Sequence, residues 1–140
     1  MDDSIVSSLL PVRLLSGVGE DTPLDALLVY DAADPFAVSM VFDTGTEEPV
    51  RWTFARDLLR DGLDRRVGEG DLIIWPAMDH VGEPALNLRL CSPDGDALLE
   101  ARADVIATFV ARTERLVRFG EEELLTDIDA TLQAILDGIT

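Results

Sequence analysis

Apolar and polar residues alternate over short segments in the first hundred positions, and turn residues separate these segments from one another. The two-residue period and the aromatic and β-branched residues are typical of β-strands. Residues 92–96, Ser-Pro-Asp-Gly-Asp, predict a tight hairpin because proline fixes φ and glycine accepts a positive φ. Pro76 is expected to end the fifth strand. The predicted strands cover residues 5–15, 24–30, 36–42, 50–53, 71–75, 85–91 and 97–101.

The period changes to that of a short amphipathic helix at residues 54–63. Thr53 is placed to cap its first turn, and Gly62 to end it in the left-handed conformation. One side of this helix is apolar and the other is charged, so the charged side is expected to face solvent. The residues predicted on the charged side are Arg56, Asp57, Arg60 and Asp61.

The last third of the chain predicts two amphipathic helices that meet at Gly120. Apolar residues recur at steps of three and four over residues 105–117 and again over residues 124–139. Gly120 either caps the first helix or acts as a pivot that sets the angle of the second, whose apolar stripe could pack against another subunit. The order of elements predicts one α+β domain over residues 1–140, with about seven antiparallel strands, one short internal helix and two C-terminal helices.

Charge narrows the range of partners. Among the 140 residues, 28 acidic residues stand against 11 basic ones, which gives a net charge of −17, and every basic residue is arginine. Nucleic acid and anionic lipid would be repelled unless a local cationic patch dominates. No apolar run approaches the roughly 18 residues needed to cross a bilayer, and the start of the chain lacks the pattern of a signal peptide. We therefore expect a cytoplasmic protein.

Residues that could carry out catalysis are few. His80 is the single histidine, placed in a loop, and Cys91 is the single cysteine, on an alternating strand. A nucleophile normally needs a histidine within hydrogen-bond reach. His80 is either a functional group or a solvated loop residue, and Cys91 either a reactive thiol or a small, partly buried apolar residue. The polar loop favours the second interpretation for His80, and we expect no catalytic residue.

Metal and phosphate sites are also poorly supported. One histidine and one cysteine cannot build a zinc site. Asp31 with Asp34, or Asp94 with Asp96, could contribute oxygen ligands, but neither pair has EF-hand spacing and both fit ordinary turns. Residues 68–70, Gly-Glu-Gly, lack the lysine and hydroxyl of a phosphate-binding loop. We expect no metal and no cofactor.

Four segments, in the same order along the chain, resemble the SsgA-like family of sporulation-specific cell-division proteins of filamentous actinobacteria. The resemblance spans nearly the whole chain. It is carried by residues 30–38 (YDAADPFAV), residues 52–59 (WTFARDLL), residues 68–71 (GEGD) followed by Trp75-Pro76, and residues 92–101 (SPDGDALLEA).

The resemblance implies a fold and a function. The fold is an antiparallel β core with C-terminal helices, assembled as a homotrimer and similar in shape to the Whirly single-stranded nucleic-acid binders. The function implied is non-enzymatic septum-site selection, in which the protein recruits the tubulin-like protein FtsZ and works with an SsgA-type paralogue at division septa. A single-stranded nucleic-acid-binding protein of Whirly-like shape is the alternative, although binding would need a basic groove with stacking aromatic residues.

Two groups of arginines are the candidate partner-binding residues. Five arginines and three aspartates between residues 51 and 66 give a local charge of +2. The first group either docks a partner or forms a solvated helix face with weak Arg–Asp pairs. The second either docks a partner or complements a helix C-terminus. The first group is Arg51, Arg56, Arg60, Arg65 and Arg66, and the second is Arg112, Arg115 and Arg118.

Two tryptophans and a proline are candidates for structural or oligomer contacts. Trp52, Trp75 and Pro76 are core and strand-end residues in the simplest interpretation. The alternative is that they also form a subunit or partner contact.

Overall fold

The computed structural model describes residues 4–16, 19–43 and 47–139, and these residues form one seven-stranded antiparallel sheet with three helices. The predicted α+β class, the seven strands and the placing of the three helices are confirmed. The strands are β1 (Ile5–Leu14), β2 (Thr22–Asp31), β3 (Ala37–Phe42), β4 (Val50–Ala55), β5 (Leu72–Met78), β6 (Pro84–Ser92) and β7 (Gly95–Arg102). The helices are α1 (Arg56–Gly62), α2 (Ala103–Leu116) and α3 (Glu122–Ile139).

The sheet has the strand order β4-β3-β2-β1-β7-β6-β5, so β4 and β5 are its edges. Every neighbouring pair is antiparallel, and β1–β2 is the longest pairing. Alternate residues of each strand point to one face, where they form the hydrophobic core. Helices α1 and α2 cover part of that face with buried residues that include Leu59, Ile106 and Phe109.

The sheet is strongly curled. Val50 and Trp52 of edge strand β4 line the same cavity as Leu90 of β6 and Ala97 of β7, although β4 and β6 are separated by four strands in the sheet order. Only a sheet that bends round its core face brings these strands together. Curling of this kind follows from the right-handed twist of strands.

Helix α1 begins later than its sequence period predicts. Phe54 pairs with Val38 in the β3–β4 ladder. Ala55 is the residue that precedes the helix, so the helix begins without a side-chain cap. The predicted cap at Thr53 is therefore wrong, because strand pairing extends past it. Gly62 is not in the left-handed region either. It is needed because a Cβ there would lie 2.5 Å from Cγ2 of Ile74.

Two further boundaries differ from the prediction. Strand β5 continues through Pro76 to Met78, since Pro76 lies on an edge strand, where a missing N–H breaks no ladder bond. Helix α2 ends at Leu116, before Gly120. Gly120 has φ of 90° in a turn closed by the hydrogen bond from the Glu121 N–H to the Arg118 carbonyl. The glycine thus shapes the α2–α3 connection and does not cap α2.

Candidate functional site

Arg56, the first residue of α1, is completely buried. Its Nη1 donates to the carbonyl oxygens of Thr113 (3.2 Å) and Val117 (2.7 Å), at the C-terminal end of α2. Carbonyls at the C-terminal end of a helix carry partial negative charge, so they suit a guanidinium group, although the Thr113 carbonyl also accepts the Val117 N–H at 2.9 Å. Arg56 therefore ties the start of α1 to the end of α2.

Glu122, at the start of α3, completes this cluster. Its Oε1 accepts a 2.6 Å hydrogen bond from Nη2 of Arg56, and its Oε2 accepts one of 2.8 Å from the Gly120 N–H. Burial raises the pKa of the carboxyl, but the hydrogen bonds from Arg56 and the backbone outweigh burial, so the pKa lies below its usual range. Glu122 is thus a buried carboxylate held by a buried guanidinium.

Aromatic rings surround the guanidinium of Arg56. Its Cζ lies over the rings of Phe119 (3.9 Å to the centroid) and Tyr30 (4.9 Å). Desolvation by burial raises the pKa of Tyr30 to about 12, and the Tyr30 hydroxyl donates to the Pro35 carbonyl at 2.9 Å. We call Arg56, Glu122, Phe119 and Tyr30 the Arg56 cluster.

The prediction that Arg56 projects from the polar side of α1 is wrong. The helical period places it beside Arg60, but the carbonyls of α2 and the carboxylate of Glu122 satisfy it inside the protein. A guanidinium that is enclosed and held in this way cannot be offered to a partner without opening the fold. Arg56 is therefore a residue that stabilises the fold.

Arg60 and Arg65 lie at the surface and share one carboxylate. Asp61 accepts from Nε of Arg60 at 2.8 Å and from Nη2 of Arg65 at 3.3 Å. The hydrogen bond from Arg60 lowers the pKa of Asp61. Arg60 also lies over Phe119, 4.4 Å from the ring centroid, at the rim of the Arg56 cluster. This arrangement matches the predicted alternative of Arg–Asp pairs on a solvated helix face.

Arg51 and Arg66 have no carboxylate partner among the described residues. Arg51 is on β4 and donates to Oγ of Ser39 at 3.3 Å. Arg66 follows α1 and lies over the ring of Trp75, 4.8 Å from its centroid. The first group of arginines therefore occupies several separate environments instead of forming one patch.

The arginines of the second group share one environment. Arg112, Arg115 and Arg118 are all exposed, and within the described ranges no carboxylate pairs with any of them. Arg112 donates to the Ser7 carbonyl at 2.9 Å, which fixes its position next to β1. Arg115 is in the last turn of α2, and Arg118 lies two residues beyond its end. We call these three residues the α2 arginine ridge.

The aromatic and proline candidates lie at the two sheet edges. Trp52 on β4 and Trp75 on β5 are both half-buried, and Trp52 packs against the hydrophobic core. Pro76 is exposed. The predicted structural role agrees with the position of Trp52, whereas Trp75 and Pro76 lie within β5 and not at its end. A subunit or partner contact of these residues stays a prediction.

An apolar groove of about 350 Å³ lies between strand β4 and the β6–β7 hairpin. Leu24, Phe42 and Leu99 are among the residues of its floor, Val50 and Trp52 stand on one side, and aspartates stand on the other. The aspartates are Asp94 and Asp96. The groove is apolar with an acidic rim, so it does not have the basic lining that a single-stranded nucleic acid needs.

His80 and Cys91 do not come together with other catalytic groups. Nδ1 of His80 lies 3.7 Å from Oε1 of Glu100, and the His80 side chain is 58% exposed. Cys91 is a half-buried free thiol on β6. Among the residues whose side chains the structure describes, no three histidine, cysteine or acidic side chains are grouped as metal ligands. No helix in the described ranges has both the length and the apolar character to span a bilayer.

Sequence reasoning missed Glu122 and Phe119. Both residues lie in the short segment between the two predicted C-terminal helices, which cover residues 105–117 and 124–139. A carboxylate and an aromatic residue that flank a glycine turn are the only signal that could have suggested the cluster. The partner, Arg56, is 66 positions away from Glu122 along the chain.

The fold and these surfaces define a class: a small α+β protein built on one curled antiparallel sheet, with exposed arginines on its helical side. Residues 24–122 match the family described as "Streptomyces sporulation and cell division protein, SsgA". The chain belongs to this family, as the four sequence segments predicted.

Relatives of this chain share its length as well as its sequence. The sporulation-specific cell division protein SsgB of Streptomyces coelicolor is 44% identical over 134 residues, which cover 96% of this chain and 97% of that protein. SsgB of Frankia casuarinae is 41% identical over 136 residues, covering 97% and 94%. The chain is therefore similar to the members of the family that are named SsgB.

Two solved structures have the same fold. One, described as "Mutations in SsgB correlate to longitudinal cell division during sporulation of Streptomyces coelicolor", has a TM-score of 0.82 at 45% identity and covers 86% of this chain and 94% of that chain. The SsgA-like sporulation-specific cell division protein of Thermobifida fusca has a TM-score of 0.85 at 38% identity, with 96% and 98% covered.

Proposed function

We propose that this chain is a non-enzymatic adaptor in sporulation-specific cell division. As a homo-oligomer it selects septum sites and localises or recruits FtsZ through protein–protein contacts, with an SsgA-type paralogue as a second partner. The observation that carries this proposal is the match, over nearly the full length, to relatives named sporulation-specific cell division proteins. Their names support the process, and the contact with FtsZ is our inference.

The α2 arginine ridge is the surface we assign to FtsZ. A chain with net charge −17 has few places where a cation is exposed without a neutralising carboxylate. The ridge offers two arginines on α2 and a third just beyond the end of that helix. Local cations of this kind give orientation and speed to the encounter of two proteins when the overall charge opposes it. Arg115 and Arg118 are the better residues to test, because Arg112 also holds the Ser7 carbonyl.

The test is co-sedimentation with FtsZ polymers. We expect the double variant Arg115→Glu with Arg118→Glu to lose most of its binding, because two attractive contacts become repulsive. The matched control is Arg65→Glu with Arg66→Glu, which changes the net charge from −17 to −21 in the same way. We expect the control to retain most of its binding.

One outcome would contradict the role of the α2 arginine ridge, and another would contradict recruitment of FtsZ. Equal losses in both double variants would show that the overall charge acts and that the ridge has no special role. Failure of the unaltered chain to sediment with FtsZ polymers, while it remains folded and monodisperse, would contradict recruitment of FtsZ itself.

Self-association, which we propose as a trimer, is supported by exposed apolar side chains on α3. Leu132, Ile135 and Leu136 are 52%, 55% and 59% exposed, respectively, and apolar surface of this kind is common at subunit contacts. Sedimentation velocity tests it: Leu132→Ser with Leu136→Ser should shift a trimer towards the monomer. A monomeric unaltered chain at micromolar concentration would contradict self-association.

A further inference from the structure

Strand β4 is an open edge of the sheet. The Arg56 N–H donates to the Phe36 carbonyl at 2.7 Å, which continues the β3–β4 ladder by one residue beyond the Ala37–Ala55 pair. Hydrogen-bonded positions alternate along an antiparallel strand, so the backbone groups of Arg51 and Thr53 point away from β3. In the described part of the chain, nothing pairs with the backbone of these two residues.

The opposite edge, β5, is closed. Both backbone groups of Ile74 bond to Val67, at 2.8 Å and 2.9 Å, so the outward-facing positions of β5 are the even-numbered ones. Pro76 is the next outward position along the strand and has no N–H to donate. A covered residue and a proline are ordinary devices that protect an edge strand from pairing. Strand β4 has neither of them between Val50 and Phe54.

The open edge adjoins the apolar groove. Val50 is 43% exposed, Trp52 is half-buried, and both line the groove from β4. A strand added beside β4 would place every second side chain on this core face, next to Val50 and Trp52, because residues paired across strands point to the same face. The groove, at about 350 Å³, has room for such apolar side chains.

On the outer face of β4, an added strand would meet polar side chains instead of apolar ones. Thr53 and Ser39 hydroxyls lie 3.1 Å apart there, and Arg51, which has no carboxylate partner within the described ranges, donates to Ser39. A residue paired with Arg51 would gain from a negative charge, and residues beside Thr53 from a hydroxyl. The edge therefore favours an added strand in which apolar residues, on the core face, alternate with polar residues, on the outer face.

We infer that strand β4 binds an extended segment of a partner protein by strand addition, and that the segment alternates apolar residues with polar ones, including one acidic residue opposite Arg51. Main-chain hydrogen bonds supply the affinity in this mode, and the alternate side chains supply the specificity. The β4 strand of a second copy suits the edge less well, because its own outer-face residues, Arg51 and Thr53, include no acidic side chain to lie opposite Arg51. The inference goes beyond the proposed function and does not depend on the α2 arginine ridge.

The experiment uses the full chain and a fluorescein-labelled nine-residue peptide, in which Val or Leu alternates with Thr and a central Glu. Fluorescence anisotropy should show saturable binding with Kd of about 100 µM or tighter. Two N-methylated versions are the sharpest probes. The peptide is expected to add antiparallel to β4, as every pair of strands in this sheet does, and the Thr and Glu amides then face β4. Methylation of these amides should weaken binding about tenfold or more, whereas methylation of the Val and Leu amides should leave it nearly unchanged.

Two variants test the edge from the side of the protein. Thr53→Pro removes one outward N–H without loss of a ladder bond, and should weaken binding about tenfold. Thr53→Ala is the matched control, because it removes the same hydroxyl and keeps the N–H. Arg51→Glu should weaken binding of the Glu-containing peptide more than binding of a peptide in which Gln replaces the central Glu. This comparison still tests the edge if the Thr53→Pro variant does not fold.

Three outcomes would overturn the inference. Absence of binding by the unaltered chain would do so, as would equal losses from the two methylated peptides. If Thr53→Pro lowers the sedimentation coefficient of the protein alone and Thr53→Ala does not, a second copy occupies the edge instead of a partner segment.

Discussion

The Arg56 cluster and the α2 arginine ridge use the same side chain for opposite purposes. In the cluster, one guanidinium is enclosed by carbonyls, a carboxylate and aromatic rings, and it connects α1, α2 and α3. In the ridge, three guanidinium groups stand in solvent without carboxylates among the described residues. The comparison teaches that the contribution of an arginine depends on whether its charge is already neutralised inside the fold.

The largest expected effect is the loss of the buried arginine. Arg56→Ala removes hydrogen bonds to Thr113, Val117 and Glu122 and takes the guanidinium away from the buried Glu122 carboxylate. We therefore expect a loss of about 3–5 kcal/mol in the free energy of unfolding. Urea denaturation at neutral pH measures it. Arg60→Ala is the control: its side chain is 40% exposed, and we expect a loss below about 1 kcal/mol. Similar losses from both variants would contradict the comparison.

The next effect concerns Glu122 and depends on pH. The folded state lowers the pKa of Glu122 below its ordinary value of 4.5. The ion pair therefore contributes stability that is fully present above about pH 4.5 and is lost as the pH falls through the lowered pKa. At neutral pH we expect Glu122→Gln to lose about 1.5–3 kcal/mol. The measurement is the urea midpoint of both proteins from neutral to acidic pH.

The difference between the two proteins isolates Glu122 from the other carboxylates with lowered pKa values, such as Asp61 and Asp96. The gap in stability should narrow as the solution becomes acidic. A gap that stays constant down to about pH 3 would mean that Glu122 does not titrate with unfolding.

A smaller effect is expected at Gly120, which shapes the turn between the two regions. No atom lies within 4 Å of the position of a Cβ there, so the cost of Gly120→Ala comes only from its φ of 90°. We expect a loss of about 1–2 kcal/mol in thermal or urea unfolding. Gly138→Ala is a suitable control, since it also has open space around it and lacks a positive φ. A cost at Gly120 no larger than at Gly138 would contradict this account.

The smallest effect on stability is expected in the ridge. Arg115→Glu with Arg118→Glu removes no ion pair seen in the described residues, so the free energy of unfolding should change by about 0.5 kcal/mol or less per site. The same urea measurement decides it. A loss comparable with that of Arg56→Ala would mean that the ridge stabilises the fold, and its assignment to a partner would then fail.

Sequence patterns predicted most of the fold because alternation and helical period are local properties. Seven strands, the β6–β7 hairpin and the three helices follow from neighbouring residues, and the structure confirms them. Predicted boundaries were wrong where a distant element determines them. Pairing with β3 keeps β4 a strand through Ala55, and Gly62 is required because a Cβ there would clash with Ile74.

The candidate site could be predicted only in part. The exposure of Arg115 and Arg118 follows from helical spacing, but the burial of Arg56 does not, because its partners lie 57 to 66 positions away. A helical period assigns a residue to a side of the helix, and it cannot show which distant element covers that side. The open edge at β4 was equally invisible before the strand order was known.

The closed edge at β5 has a consequence for how this chain behaves when concentrated at one place in a cell. Runaway fibre growth by strand pairing requires that each subunit present two free edges, one to receive and one to donate. Val67 pairs with Ile74 and Pro76 has no N–H, so a second copy of this chain could join the sheet only at β4. Pairing between two β4 edges ends with two copies. Strand pairing between copies of this chain therefore cannot propagate into a fibre.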